Sequence, residues 1–265
     1  MAYDTLELEI DALGRRPRTV RILSPDLDRT SPTGGFPVLY MPDGQNLFRD
    51  AEASYGKSWD FPAALAGLGH GLIVVGWDSA EDLQRLDELG PWRNDWIQQK
   101  APGITRPVGG EGQGTLDFVV NQLKPLVDSR YPTLPGRATT WVAGSSMGGL
   151  FALYAAASRP DVFSRAGCFS SAFWIAGAQL DRFVASSAAS KLDRVYLDVG
   201  TMEGSRQNNE EERQAYVNDT KRIGALLSSG GLGPDRLKVV LDEGGTHNEA
   251  AWSRRLPAAL KWLAG

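Results

Sequence analysis

The run Gly144-Ser145-Ser146-Met147-Gly148 is an instance of G-x-S-x-G. In that pattern a serine occupies a sharp turn between a strand and a helix, so its hydroxyl projects above the edge of a sheet. The context agrees. Residues 140–143 (Thr-Trp-Val-Ala) read as a strand, and a small-residue helix follows from Gly149. Side chains two positions either side of Ser146 would collide in so tight a turn, which accounts for the glycines. The helix also aims unpaired N–H groups and a partial positive charge at the site. A serine hydroxyl is a poor nucleophile near neutral pH and needs a base. The chain has two histidines. His247 follows the last strand-like run and precedes the last helix-like run, on the sheet edge where ligands of such folds bind. His70 precedes a strand, at the opposite end, and reads as structural or solvated. Ser146 is therefore the candidate nucleophile and His247 the candidate general base.

A carboxylate after a strand between these two would orient the imidazole and stabilise its charged form. Three candidates remain open: Glu203, in the loop after the strand-like run 194–199 and the first choice; Asp198, inside that run; and Asp242, at the end of the last run. The oxyanion of acyl transfer needs two N–H donors. The amide of Met147, directly after the nucleophile, is one. The amide of Gln45 is the other candidate, in Pro42-Asp43-Gly44-Gln45-Asn46, where Gly44 is read as permitting a special backbone turn.

These groups must be carried by a particular scaffold. Residues 6–10 and 19–23 alternate apolar and polar, as in an antiparallel opening with one wet face. Residues 37–41, 72–77, 140–143, 165–169, 194–199 and 237–241 complete a set of eight apolar, β-rich runs. Helical periodicity covers 116–127, 150–157, 218–227 and 256–263. An antiparallel start followed by strand–helix alternation predicts an α/β architecture: a mostly parallel eight-stranded sheet with helices on both faces. Residues 1–265 read as a single domain. Residues 78–114, with three prolines, Trp92 and Trp96, read as a long substrate-side loop insertion. Trp92 and Trp96 are expected to wall the pocket, and Phe173 and Trp174 are further aromatic candidates.

Composition narrows the classes. The chain has 265 residues, 42% hydrophobic and 23% charged, enough for a sizeable core. A net charge of −4 argues against nucleic-acid binding. No apolar run is long enough to span a bilayer. The N-terminal residues lack the pattern of a signal peptide. The single Cys168 permits no internal disulfide and suits a reducing, cytoplasmic compartment. With one Cys and two His, no zinc site is expected.

The motifs taken together resemble the putative-esterase family of the α/β-hydrolase superfamily, which includes esterase D, feruloyl esterases, enterobactin esterases and the antigen 85 mycolyltransferases. The resemblance rests on Tyr40-Met-Pro-Asp-Gly-Gln-Asn-Leu-Phe48, Gly144-Ser-Ser-Met-Gly-Gly-Leu150, Arg159-Pro-Asp-Val-Phe163, Phe169-Ser-Ser-Ala-Phe-Trp174, and Gly245-Thr-His247 with Trp252 beyond. It implies an α/β-hydrolase fold, a Ser-His-acid triad, no cofactor and small-molecule ester substrates, with Asp43-Gly-Gln45 as the oxyanion loop. Some siderophore-esterase relatives work with a Ser-His dyad, so the resemblance leaves the acid open. Residues 85–92 resemble the family's Arg-x-x-Glu-Tyr-x-Pro segment on the substrate side, with Leu89 in place of the tyrosine. Two rival readings stand beside ester hydrolysis: acyl transfer to an alcohol on the same site, and a catalytically silent binding module on the same fold.

Overall fold

One sheet of eight strands organises the computed structural model, which describes residues 3–25, 34–69, 71–95, 97–99, 103–204 and 210–265. The strands are β1 (Asp4–Ile10), β2 (Arg16–Leu23), β3 (Val38–Pro42), β4 (Ile73–Trp77), β5 (Thr140–Ser145), β6 (Arg165–Phe169), β7 (Arg194–Met202) and β8 (Leu237–Thr246). Their order is β1-β2-β4-β3-β5-β6-β7-β8. β1 and β2 pair antiparallel, as does β2 with β4. Every pairing from β4 through β3 to β8 is parallel. The eight expected runs are thus eight strands, in the expected mostly parallel sheet.

Successive side chains of a strand point to opposite faces, and a sheet covered on both faces needs apolar residues on both. In β3, Val38 and Tyr40 enter one hydrophobic cluster while Leu39 and Met41 enter another. In β4, Ile73, Val75 and Trp77 join the first cluster and Val74 the second. The helices that cover these faces are α1 (Phe61–Ala66), α2 (Asp82–Leu89), α3 (Gly112–Phe118), α4 (Lys124–Arg130), α5 (Met147–Ser158), α6 (Phe173–Ser186), α7 (Glu210–Ser229) and α8 (Glu249–Ala264). Residues of α3 to α7 fill the first cluster; residues of α1 and α8 fill the second. Cys168 is buried in the first cluster, where burial raises its thiol pKa.

Several boundaries differ from the sequence reading for identifiable reasons. The run at 116–127 is not one regular helix. A π-turn at Val119–Leu123 separates α3 from α4. Pro125, in the first turn of α4, has no N–H and crowds the preceding turn, and the wider turn accommodates it. Three helices, α1, α2 and α6, lie outside the helical patterns read from sequence. α6 is broken by Gly177 at φ 47°, which interrupts any single periodicity. Residues 78–114 are not a continuous loop. They contain α2, whose Leu89 joins the core with Leu83 and Leu86 packed against it. A bridge between Asn94 and Val108 then folds the following residues back. The Asn94 side chain donates to the Ile175 carbonyl at 2.5 Å, tying the segment to α6.

Glu88 shows how α2 is held. It is buried, and both of its oxygens lie 2.7 Å from Arg18 Nη2, with Arg16 Nη1 3.1 Å from Oε1. Removing one member of a buried pair leaves an uncompensated charge. Glu88→Gln is therefore expected to destabilise the fold by about 3 kcal/mol. In thermal melts this should lower the midpoint by roughly 6–12 °C.

Candidate active site

Six parallel strands end on one edge: β3 before Asp43, β4 before Asp78, β5 before Ser146, β6 before Ser170, β7 before Glu203 and β8 before His247. Ser146 has φ 55° and ψ −121°, a left-handed-side backbone that L-residues rarely adopt. The glycines around it are required by contact. A Cβ on Gly144 would lie 2.4 Å from the backbone of Gly148. One on Gly148 would lie 2.9 Å from Pro42 Cγ, and one on Gly149 would lie 2.1 Å from Ser171 Oγ. The turn is also clamped to the neighbouring strand's end. The Ser146 amide donates to Phe169 O at 3.0 Å, and the Ala172 amide donates to Ser146 O at 3.0 Å. α5 begins at Met147, so the Met147 N–H is among the helix's first four amides, which have no intrahelical acceptor.

The second expected donor, Gln45, lies in a short 3-10 turn, Gly44–Asn46, that follows β3. Here the structure corrects the role of Gly44. The left-handed residue is Asp43, at φ 62° and ψ 43°. Gly44 is needed because the turn packs directly on β4: a Cβ there would lie 2.8 Å from the Gly76 carbonyl carbon. Asp43 is held by Arg85, with Nε–Oδ1 at 2.6 Å and Nη2–Oδ2 at 2.7 Å. Burial alone would raise the Asp43 pKa, but the Arg85 charge and hydrogen bonds outweigh it and hold the carboxyl below its usual range. The pair therefore stabilises the turn above the ordinary carboxylate range, and that contribution is lost as pH falls through the depressed value.

His247 and Glu203 are brought together by strand register. Met202 of β7 pairs with Thr246 of β8, so the next residue of each strand is Glu203 and His247. His247 Nδ1 lies 2.6 Å from Glu203 Oε2. The imidazole is flanked by Tyr216, at 4.9 Å between ring centroids, and by Trp252 at 5.1 Å. The other oxygen of Glu203 accepts from the Gly200 amide at 2.6 Å and from the Ser170 hydroxyl at 2.5 Å. Ser170 Oγ in turn accepts from Trp252 Nε1 and Arg255 Nη2, both at 2.9 Å. Arg255 also binds Asp198 Oδ2 at 3.0 Å and Asp242 Oδ2 at 2.8 Å. Of the three carboxylates left open by the sequence, one faces His247 and the other two face Arg255.

Ser146 and His247 line a cavity of about 840 Å³. Gln45, Asn46, Trp252 and Glu249 share it, and Glu249 Oε1 accepts from Asn46 Nδ2 at 3.0 Å. Burial raises the Glu249 pKa. The start of the 78–114 segment lines the same cavity through Asp78 to Asp82 and Arg85. Its described tryptophan, Trp92, does not. Trp92 packs edge-on against Tyr154 and Phe183. Phe173 is fully buried in the core, and Trp174 packs against Tyr216. None of the three is among the residues lining this cavity. Glu88 and Leu89 likewise turn away from it into the fold. Trp96 and His70 lie outside the described residues.

Sequence reasoning missed the side chains of Ser170, Arg255, Asn46 and Glu249. Ser170 has φ 42°, and that conformation beside the elbow leaves no mark in composition. Arg255 looks like a charged residue on an amphipathic helix. The network makes a specific forecast. Glu203→Gln should lower kcat by on the order of 10³–10⁴. Asp242→Asn should change kcat by less than about threefold, since its charge reaches His247 only through Arg255 and Ser170. Steady-state kinetics on the purified, folded variants provide the check.

Comparison with known proteins agrees with this architecture. A 25% identical relative over 233 residues, covering 88% of this chain and 87% of its own, is the uncharacterized protein YbbA of Bacillus subtilis. The siderophore triacetylfusarinine C esterase of Aspergillus fumigatus is 32% identical over 137 residues, 51% of this chain. The match spans 44% of that longer protein. Among solved structures, the BES protein from Bacillus cereus superposes with a TM-score of 0.72 at 19% identity, covering 98% of this chain and 94% of its own. The family described as Putative esterase matches residues 11–263, nearly the whole chain. With that match, and with the sheet and helices of its solved neighbours, the chain belongs to the Putative esterase family of α/β-hydrolase-fold ester hydrolases.

Proposed function

We propose that the chain hydrolyses a small-molecule carboxylic ester through an acyl-enzyme on Ser146. The observation that carries this reading is the 2.6 Å contact between His247 Nδ1 and the buried Glu203 carboxylate, in the same cavity as Ser146. In the first step His247 Nε2 takes the hydroxyl proton as Ser146 Oγ attacks the ester carbonyl. The tetrahedral oxyanion is received by the amides of Met147 and Gln45. The imidazolium, stabilised by Glu203, then gives its proton to the departing alcohol. Water repeats the sequence on the acyl-enzyme: His247 accepts its proton, and collapse releases the acid and restores the serine.

The cavity volume suits a drug-sized ester more than a polymer. The Aspergillus relative is named for a siderophore ester. For this chain we carry over only the class, a small-molecule ester.

Two measurements test the reading. Ser146→Ala should lower kcat by on the order of 10⁶ while leaving the melting midpoint near that of the parent. Retention of a tenth of the parent activity in a pure, folded variant would remove Ser146 as nucleophile. The rate should also fall on the acid side, because a protonated imidazole cannot accept the serine proton. A flat profile from mildly acidic to alkaline pH contradicts His247 as base.

A further inference from the structure

The charge lining the cavity is one-sided. Among the described residues five acidic side chains face it, Asp43, Asp78, Glu81, Asp82 and Glu249, against one arginine, Arg85. That arginine is already bound on two nitrogens by Asp43. Asp78 is likewise neutralised, by Arg21 at 2.7 and 2.9 Å. Glu249, buried and bonded to Asn46, has no ion-pair partner among the described residues. Glu81 and Asp82 are exposed at the cavity, also without an ion pair among the described residues. What remains after pairing, among the described residues, is a set of carboxylates and no free cation. Tyr55, which also lines the cavity, leaves 83% of its surface exposed.

Taken on the esterase reading of Ser146, this lining points to a substrate class. We infer that the site selects esters bearing a positive charge, an ammonium or similar cation, and turns away anionic esters. The physical grounds are three. A concave wall of one sign focuses its field into the cleft and raises the local concentration of opposite charge. An anionic substrate would lose hydration on entry and find no free cation among the described lining residues, because Arg85 and Arg21 are occupied. A cation would meet Glu81 and Asp82, and the exposed Tyr55 ring offers its negative face to the same kind of group. Among the described lining residues, Trp252 is buried, and the exposed aromatic surface is the Tyr55 ring beside carboxylates.

The experiment uses three butyrate esters of matched size: butyrylcholine (cationic), 3,3-dimethylbutyl butyrate (its neutral isostere) and 3-sulfopropyl butyrate (anionic). At low salt, kcat/KM for the cation should exceed that for the anion by at least about tenfold, with the neutral ester between. The spread should narrow as salt is raised, since exposed charges are screened. In the double variant Glu81→Gln, Asp82→Asn, the cation-to-anion ratio should fall at least about threefold, mainly through KM. Both positions are exposed, and a thermal melt checks that the variant is folded. Equal or faster turnover of the anionic ester overturns the inference, as does a ranking indifferent to salt and to the double variant. The neutral ester separates this from the underlying reading. If it is hydrolysed without a charge ranking, only the inference falls. If no ester is hydrolysed and Ser146 resists a neutral fluorophosphonate, the esterase reading falls and the inference with it. If Ser146 is labelled but turnover is too slow to rank, the labelling rates of cationic and anionic fluorophosphonates supply the same comparison.

Discussion

The backbone of Ser146 is held at φ 55° and ψ −121°, and much of the surrounding structure exists to hold it there. Such a conformation costs on the order of 1–3 kcal/mol and persists only where the surroundings over-determine it. Here the determinants are visible. Gly144 and Gly148 touch through backbone with no space for a Cβ, and Gly149 lies against Ser171. Hydrogen bonds to Phe169 and Ala172 tie the turn to the end of β6. The apolar α5 behind it is buried along nearly its whole length, so the turn cannot relax by moving the helix. The result places a hydroxyl at the sheet edge and points the first amides of α5 at the same space.

Behind the imidazole runs a second constraint, made of polar groups instead of close contact. Glu203, Ser170 and Asp198 are almost completely buried, with Arg255 nearly so. Each of these buried groups is hydrogen-bonded, and the chain from His247 through Glu203 and Ser170 to Arg255 is continuous. Buried networks of this kind hold one geometry when fully satisfied and are costly when any member is lost. Arg255 has a particular part in it. By gathering Asp198 and Asp242, it places a cation between those two carboxylates and the Ser170–Glu203 pair. Crowded acids are thereby kept apart in role: one faces the imidazole, and two balance the guanidinium.

The cavity in front of Ser146 follows a different logic from the core beside it. Of the large aromatic residues, Phe173 is buried in the core, and Trp92 and Trp174 are half-buried against it. The residues that remain at the cavity are mostly short and polar, with the Trp252 indole as the main aromatic body near His247. Asp43, at the start of the turn that carries Gln45, is paired with Arg85, and Asp78 beside that turn is paired with Arg21. The same pairing leaves the guanidiniums of Arg85 and Arg21 already engaged by carboxylates.

By itself the sequence determined the eight strands, the mostly parallel sheet and the strand–turn–helix around Ser146. Each of these is a local pattern: apolar runs of strand length, a 3.6-residue period, or glycines at fixed offsets. It also brought His247 and Glu203 to the right edge, because parallel strands end on one side. Tertiary structure alone decided which carboxylate meets the imidazole. Glu203 reaches it because β7 and β8 extend past their apolar runs and pair Met202 with Thr246, a register no single strand encodes. It also decided that Gly44 serves close packing while Asp43 takes the left-handed turn, since the need arises from β4 lying against it. The tryptophan of the 78–114 segment that the structure describes, Trp92, could equally have lined a pocket or anchored a loop. Tyr154 and Phe183, distant in sequence, are what it packs against edge-on. Contacts between segments set these outcomes, and a one-dimensional pattern carries periodicity but not the identity of the partner across the fold.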